Sequence, residues 1–253
     1  MSPNDVLEPS WLAEYKQKID AIGKQLLTLH DTIFVLEKIF AFRFDLFMPI
    51  PGPFWKLVEN ALLENCILII WRVGVDNVYR EGLTLQQLKN QIFQCLSNED
   101  YHTQLKDEFK SGYFDGKISN LESKISEIRH NYIAHYNLAK HVNPTPEQIK
   151  KRTLFFSELK QYQNTLKEYF DLLCFGAQKL PLHPDYHPDV IHPAGVENRS
   201  DIERLLDNVA RESDLLNLPE INSYHWEAFR QNLSDESIRI LNDYRAKFGL
   251  PQL

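Results

Sequence analysis

Between Arg129 and Tyr136 the chain reads Arg129-His130-Asn131-Tyr132-Ile133-Ala134-His135-Tyr136, a short run holding an Arg, two His and an Asn. These side chains suit phosphate chemistry. A guanidinium carries a permanent charge in a planar fork that matches phosphate oxygens, and an imidazole with an unperturbed pKa near ~6.5 takes or gives a proton at neutral pH. On residue type alone, Arg129 would bind a phosphate and His135 would move a proton. His130, Asn131 and Tyr136 are supporting candidates for hydrogen bonding or orientation. A six-residue separation leaves Arg129 and His135 about 120° apart on an ideal helix, so one helix aims both at one spot only if it is distorted or if a second copy completes the site. The structural alternative is a surface Arg and a core His bonded to a carbonyl.

The elements that must position these residues are helices. Apolar residues Ile19, Ile22, Leu26, Leu29, Ile33, Leu36, Ile39 and Phe40 recur every three or four positions, which predicts one long first helix over Trp11 to Phe47 with a single buried stripe. Pro49, Pro51 and Pro53 stop it, and a second helix runs from Phe54 to about Asp76. Thr84 caps a shorter helix to Leu96, Asn98 or Glu99 opens another to about Phe109, and the motif lies on a helix from Ser119 to about Ala139. Thr145 and Pro146 start a last long helix to about Gly176. No strand pattern stands out. The expectation is an all-α fold: an up-and-down helical bundle of four long helices with short helices inserted over residues 1–176, a Pro/His-rich linker over 177–200, and a helical C-terminal appendage over 201–253 capped by Ser200 and Ser234.

On the second helix Arg72 and Asp76 lie four apart, with Asn65 one heptad earlier, so the three share a face. An Arg so close to an apolar run needs an anion, whether Asp76, another carboxylate or a phosphate. The aromatic residues Phe155, Phe156, Tyr162, Tyr169, Phe170 and Phe175 recur near helical spacing and read as core; His102 and His141 read as solvated. His183, His187 and His192 sit among prolines at spacings that fix no common face, so no metal site and no cofactor are expected.

Composition narrows the classes. With 253 residues, 43% of them hydrophobic and 25% charged, the chain can build a sizeable core and is no disordered polymer. Cys66, Cys95 and Cys174 are odd in number and embedded in apolar sequence, as reduced, buried cysteines of a cytoplasmic protein are. Met1 to Asp5 carries neither a basic nor an apolar leader pattern, and the longest apolar run, Cys66 to Trp71, is too short to span a bilayer, so no membrane is expected. The net charge of −7 opposes a general affinity for nucleic acid. Its distribution does not: residues 101–152 hold nine Lys/Arg against six Asp/Glu, whereas residues 177–253 hold eight against thirteen.

The motif, with its polar residue beside Arg129 and Ala134 just before His135, resembles the signature of the HEPN-domain superfamily, most closely its abortive-infection subgroup. The second helix ending in Arg72 and Asp76, followed by Thr84-Leu85-x-x-Leu88, is similar to that subgroup as well, and the likeness covers about residues 10–175. His130 is a departure, because the family more often has Asn or Asp there. The resemblance implies a metal-independent endoribonuclease of a toxin–antitoxin or phage-defence system, in which the ribose 2′-hydroxyl attacks its own 3′-phosphate. Arg129 and His135 would be catalytic, with Arg72 supporting. It further implies RNA as the substrate with no DNA specificity, a homodimer, and an antitoxin protein as partner. The alternative is a non-catalytic HEPN-like helical dimer that binds a protein or nucleotide, which the acidic balance and the long tail favour.

Overall fold

The computed structural model describes residues 2–48, 53–75, 83–130, 154–175, 200–213, 216–217, 219, 226–227 and 230–253. It shows an all-α helical bundle. The described helices are α1 (Pro3–Val6), α2 (Leu12–Ala41), α3 (Phe44–Phe47), α4 (Pro53–Ile70), α5 (Leu85–Gln94), α6 (Glu99–Ser111), α7 (Phe114–Ile128), α8 (Phe156–Leu173), α9 (Asp201–Arg211) and α10 (Asp235–Lys247), and α4 continues into a π-helical turn, Trp71–Val75. Among the described residues the only extended pairing is an isolated antiparallel bridge between Leu7 and Leu96. No described helix is long and apolar enough to cross a membrane.

Two compact units make up the chain, and neither is continuous in sequence: residues 1–33 with 62–186, and residues 34–61 with 187–253. In the first, the α2 residues Ile19, Ile22, Leu26 and Leu29 are buried, as are Cys66, Ile69 and Ile70 of α4 and Leu159, Leu166 and Phe170 of α8. Removing each such side chain from water contributes roughly 1.5–3 kcal/mol. Polar pairings set the directions. Tyr15 donates to the Leu173 carbonyl at 2.9 Å, while Gln163 meets His30 Nδ1 at 3.0 Å. Low numbers on α2 therefore pair with high numbers on α8, and the two helices are antiparallel. Lys117 with Glu168 and Lys124 with Glu158 make α7 and α8 antiparallel by the same logic.

The second unit is built on rings. Phe42 lies 4.7 Å from Phe44 and 5.2 Å from Phe47, Phe44 lies 5.1 Å from Trp55, and Phe47 lies 4.7 Å from Tyr244. Arg245 is fully buried here, its charge met by the carbonyls of Pro251 at 2.6 Å and Leu216 at 2.5 Å.

Several elements differ from the sequence reading, each for a physical reason. The first helix stops at Ala41 rather than Phe47, with Arg43 at φ −83°, ψ 71°. On an unbroken helix residues 42 and 44 would point about 200° apart. The break lets both rings join one cluster, and at the break Arg43 donates to Asp45 through a two-pronged pair at 2.8 and 2.6 Å. Phe40, expected in the buried stripe, is 43% exposed, and Phe42 is buried instead. Helix α7 begins at Phe114, five residues early, and takes in Gly116, where a Cβ would meet the Tyr113 ring at 2.1 Å. Helix α8 begins at Phe156, and extended Phe155 before it is exposed rather than core. The caps Thr84, Asn98, Ser200 and Ser234 are all in place. Of the cysteines, all free, Cys66 and Cys174 are buried and Cys95 is only half-buried. Burial pushes the Cys66 and Cys174 thiols up to about 12, with Asp171 adding to the effect at Cys174.

Candidate functional site

Helix α7 buries Ile118, Leu121, Ile125 and Ile128 at three- and four-residue steps, so its apolar face is fixed against the bundle. Arg129 follows directly, where the backbone passes into a widened π register over residues 129 and 130. The surface facing it is the π-helical turn at the end of α4. Trp71 opens that turn, and Trp71, Val73, Gly74 and Val75 are all buried. Gly74 is where neighbouring helices come close: a Cβ there would lie 2.9 Å from Leu166 and 3.7 Å from Leu121. A π turn gives up regular i→i+4 bonding and is rare, and it is found disproportionately at functional sites.

The Arg129 guanidinium carbon lies 3.9 Å from the centroid of the Trp71 ring. Such stacking contributes roughly 0.5–2 kcal/mol and fixes the plane of the fork. The side chain is half-buried overall, and its Nε is fully buried without a hydrogen-bond partner. An unsatisfied buried donor costs roughly 1–3 kcal/mol, more on a charged group, so the position works against stability unless it serves another purpose. His130, the next residue, is exposed, and so is Arg72, the residue after the ring. A stacked guanidinium whose plane is held by the ring is an arrangement that can take an anion such as phosphate.

Of the residues singled out in the sequence, Arg129 and His130 are therefore placed directly after α7 and Arg72 on the π turn. Asn131, His135, Tyr136 and Asp76 lie outside the described residues, as do His141, His183, His187 and His192. Asn65 is engaged elsewhere, its amide 3.4 Å from the Thr32 hydroxyl. His102 is half-buried, edge-on to Phe93 at 4.8 Å. Among the described residues no three His, Cys, Asp or Glu gather in a way that could hold a metal ion. The residue missed by sequence reading is Trp71. It ends the apolar run that starts at Cys66, and nothing in its spacing connects it to Arg129. Comparison with protein-family models, curated proteins and solved structures gives no match.

Proposed function

We propose that the chain is a metal-independent endoribonuclease that cleaves RNA by attack of a ribose 2′-hydroxyl on the adjacent phosphate. The observation that carries the reading is Arg129 stacked on Trp71 with its Nε buried and unpaired. Arg129 holds the scissile phosphate and stabilises the charge that builds on it. His135 exchanges the proton as general base or acid, a role usually worth about 10²–10⁴-fold. His130, Asn131, Tyr136 and Arg72 assist by orienting the phosphate. The protein works in the cytoplasm as a homodimer, in a toxin–antitoxin or phage-defence setting where an antitoxin protein restrains it. The sequence resemblance supports the reaction type, and the stacked arginine supports the phosphate role.

The test is incubation of purified protein with RNA, followed by end analysis. Cleavage that leaves 2′,3′-cyclic phosphate ends, survives EDTA, and disappears in both Arg129→Ala and His135→Ala is the expected result. Intact RNA at high enzyme concentration, or cleavage indifferent to both substitutions, would leave the non-catalytic helical dimer as the better reading.

A further inference from the structure

Away from Arg129, helices α5, α6 and the start of α7 enclose a cleft of about 800 Å³. Its walls alternate rings and cations: Phe93, Phe109 and Tyr113 with Lys89, Lys106 and Lys110. Among the described residues Asp115 is the single carboxylate on the lining, and it is engaged by Lys89 at 2.7 Å. Lys89 itself is buried and lies 5.1 Å from the Phe109 ring centre, so it forms part of the floor. Lys106 and Lys110 are exposed at the rim.

Helix α6 explains why the cleft has one sign. His102, Lys106, Phe109 and Lys110 fall at three- and four-residue steps and face the cleft. Asp100, Asp107 and Glu108 line a different depression with Thr103 and Gln104, on the other side of the helix. Helix α6, with two lysines against four carboxylates, thus turns its lysines toward the cleft and Asp100, Asp107 and Glu108 away from it. Tyr113 is a second, independent sign. It adopts φ 50°, ψ 35°, a left-handed conformation that costs a non-glycine residue about 1 kcal/mol or more, and its ring is 67% exposed at the cleft mouth. Gly116 removes the side chain that would collide with that ring, at 2.1 Å. The backbone therefore holds an aromatic ring out at the rim instead of folding it into the core.

We propose that this cleft binds a nucleobase with its phosphate, the base lying against Tyr113 and Phe93 and the phosphate on Lys106 and Lys110. Flat rings accept any base face, and lysines at the rim suit a phosphate that remains partly solvated. The same chemistry arrives in a free nucleotide or in a single-stranded RNA. The site is separate from Arg129 and stands whether or not the chain cuts RNA.

The experiment titrates the full chain, by fluorescence anisotropy, with a labelled 2′-O-methyl oligouridylate twelve nucleotides long and, in parallel, with fluorescent AMP. The 2′-O-methyl group blocks internal attack, so binding is read without cleavage. Binding of the strand alone identifies RNA as the source, and binding of both identifies a base-and-phosphate site. In either case Lys106→Glu with Lys110→Glu weakens binding at least tenfold and flattens the salt dependence by about 0.7 in slope per lysine lost. Tyr113→Ala weakens it severalfold and Tyr113→Phe restores it, while Asp107→Asn on the opposite face weakens neither probe. Both lysines are exposed, and circular dichroism confirms that the variants are folded. Binding of neither probe by the intact chain, or equal binding by the double lysine variant, overturns the proposal.

Discussion

At Arg129 two opposing effects of similar size meet on one side chain: stacking on Trp71 stabilises it, and the buried, unpaired Nε destabilises it. Arg129→Ala should therefore change unfolding free energy by no more than about 1 kcal/mol, while abolishing RNA cleavage. Arg129→Lys should behave almost as badly in cleavage, because a lysine keeps the charge but loses the planar fork and its stacking. Denaturant melts run beside the cleavage assay check both, and a loss of several kcal/mol in either variant would show that the residue serves folding. Glu203 offers a second test by pH. Burial raises its carboxyl pKa, yet hydrogen bonds from Lys38 and Ser200 and the Lys38 charge together outweigh burial and bring it from an ordinary 4.5 to about 2. The folded-state value is lowered, so the stabilisation is fully present above about 4.5 and fades as pH falls toward 2. Urea midpoints of the native chain and Glu203→Gln should differ at pH 7 and converge near pH 2; a constant gap would refute the assignment.

The starts of α5, α6, α9 and α10 were legible because their cap signals are local, whereas those of α7 and α8, which lack a capping side chain, were not. Thr84 accepts from the Gln87 amide at 3.1 Å and Gln87 returns a bond to the Thr84 amide at 3.2 Å, a reciprocal pair written within four residues. Thr84→Ala should cost about 1 kcal/mol, a melting-temperature drop of roughly 2–4 °C in a chain of this length. The break after Ala41 was not legible, because it depends on Trp55 and Tyr244, far from Phe42 in the chain. The π turn at Trp71–Val75 was hidden for a similar reason: an apolar run reads the same in α and π register, and what distinguishes them is the close approach of Leu121 and Leu166 at Gly74. Gly74→Val should destabilise by about 1–3 kcal/mol through overpacking. Gly74→Ala should cost less, since the side chain it meets first is the end of Leu166. A Val variant as stable as the native chain, measured by thermal melting, would mean that the helices tolerate a wider separation there.

For the whole molecule, the proposed chemistry asks for a base, an acid and a phosphate clamp in one place. Arg129 and His135 lie about 120° apart on an ideal helix, and a two-fold axis near the motif would double every group. Light scattering should therefore report a dimer, and mixing Arg129→Ala chains with His135→Ala chains should restore part of the activity; a fully active monomer at micromolar concentration would end that idea. The all-α class followed from periodicity alone, whereas the composition of the two units did not, since residues 34–61 associate with the C-terminal helices across a long stretch of intervening sequence. That interleaving has a consequence for biosynthesis. Residues 34–61 leave the ribosome about 140 residues before α9 begins, which at about 5–20 residues per second is a wait on the order of ten to thirty seconds. During that interval Phe42 and Phe47 have no Tyr244 to pack against, so the nascent chain carries a sticky aromatic patch that only the last part of translation can cover.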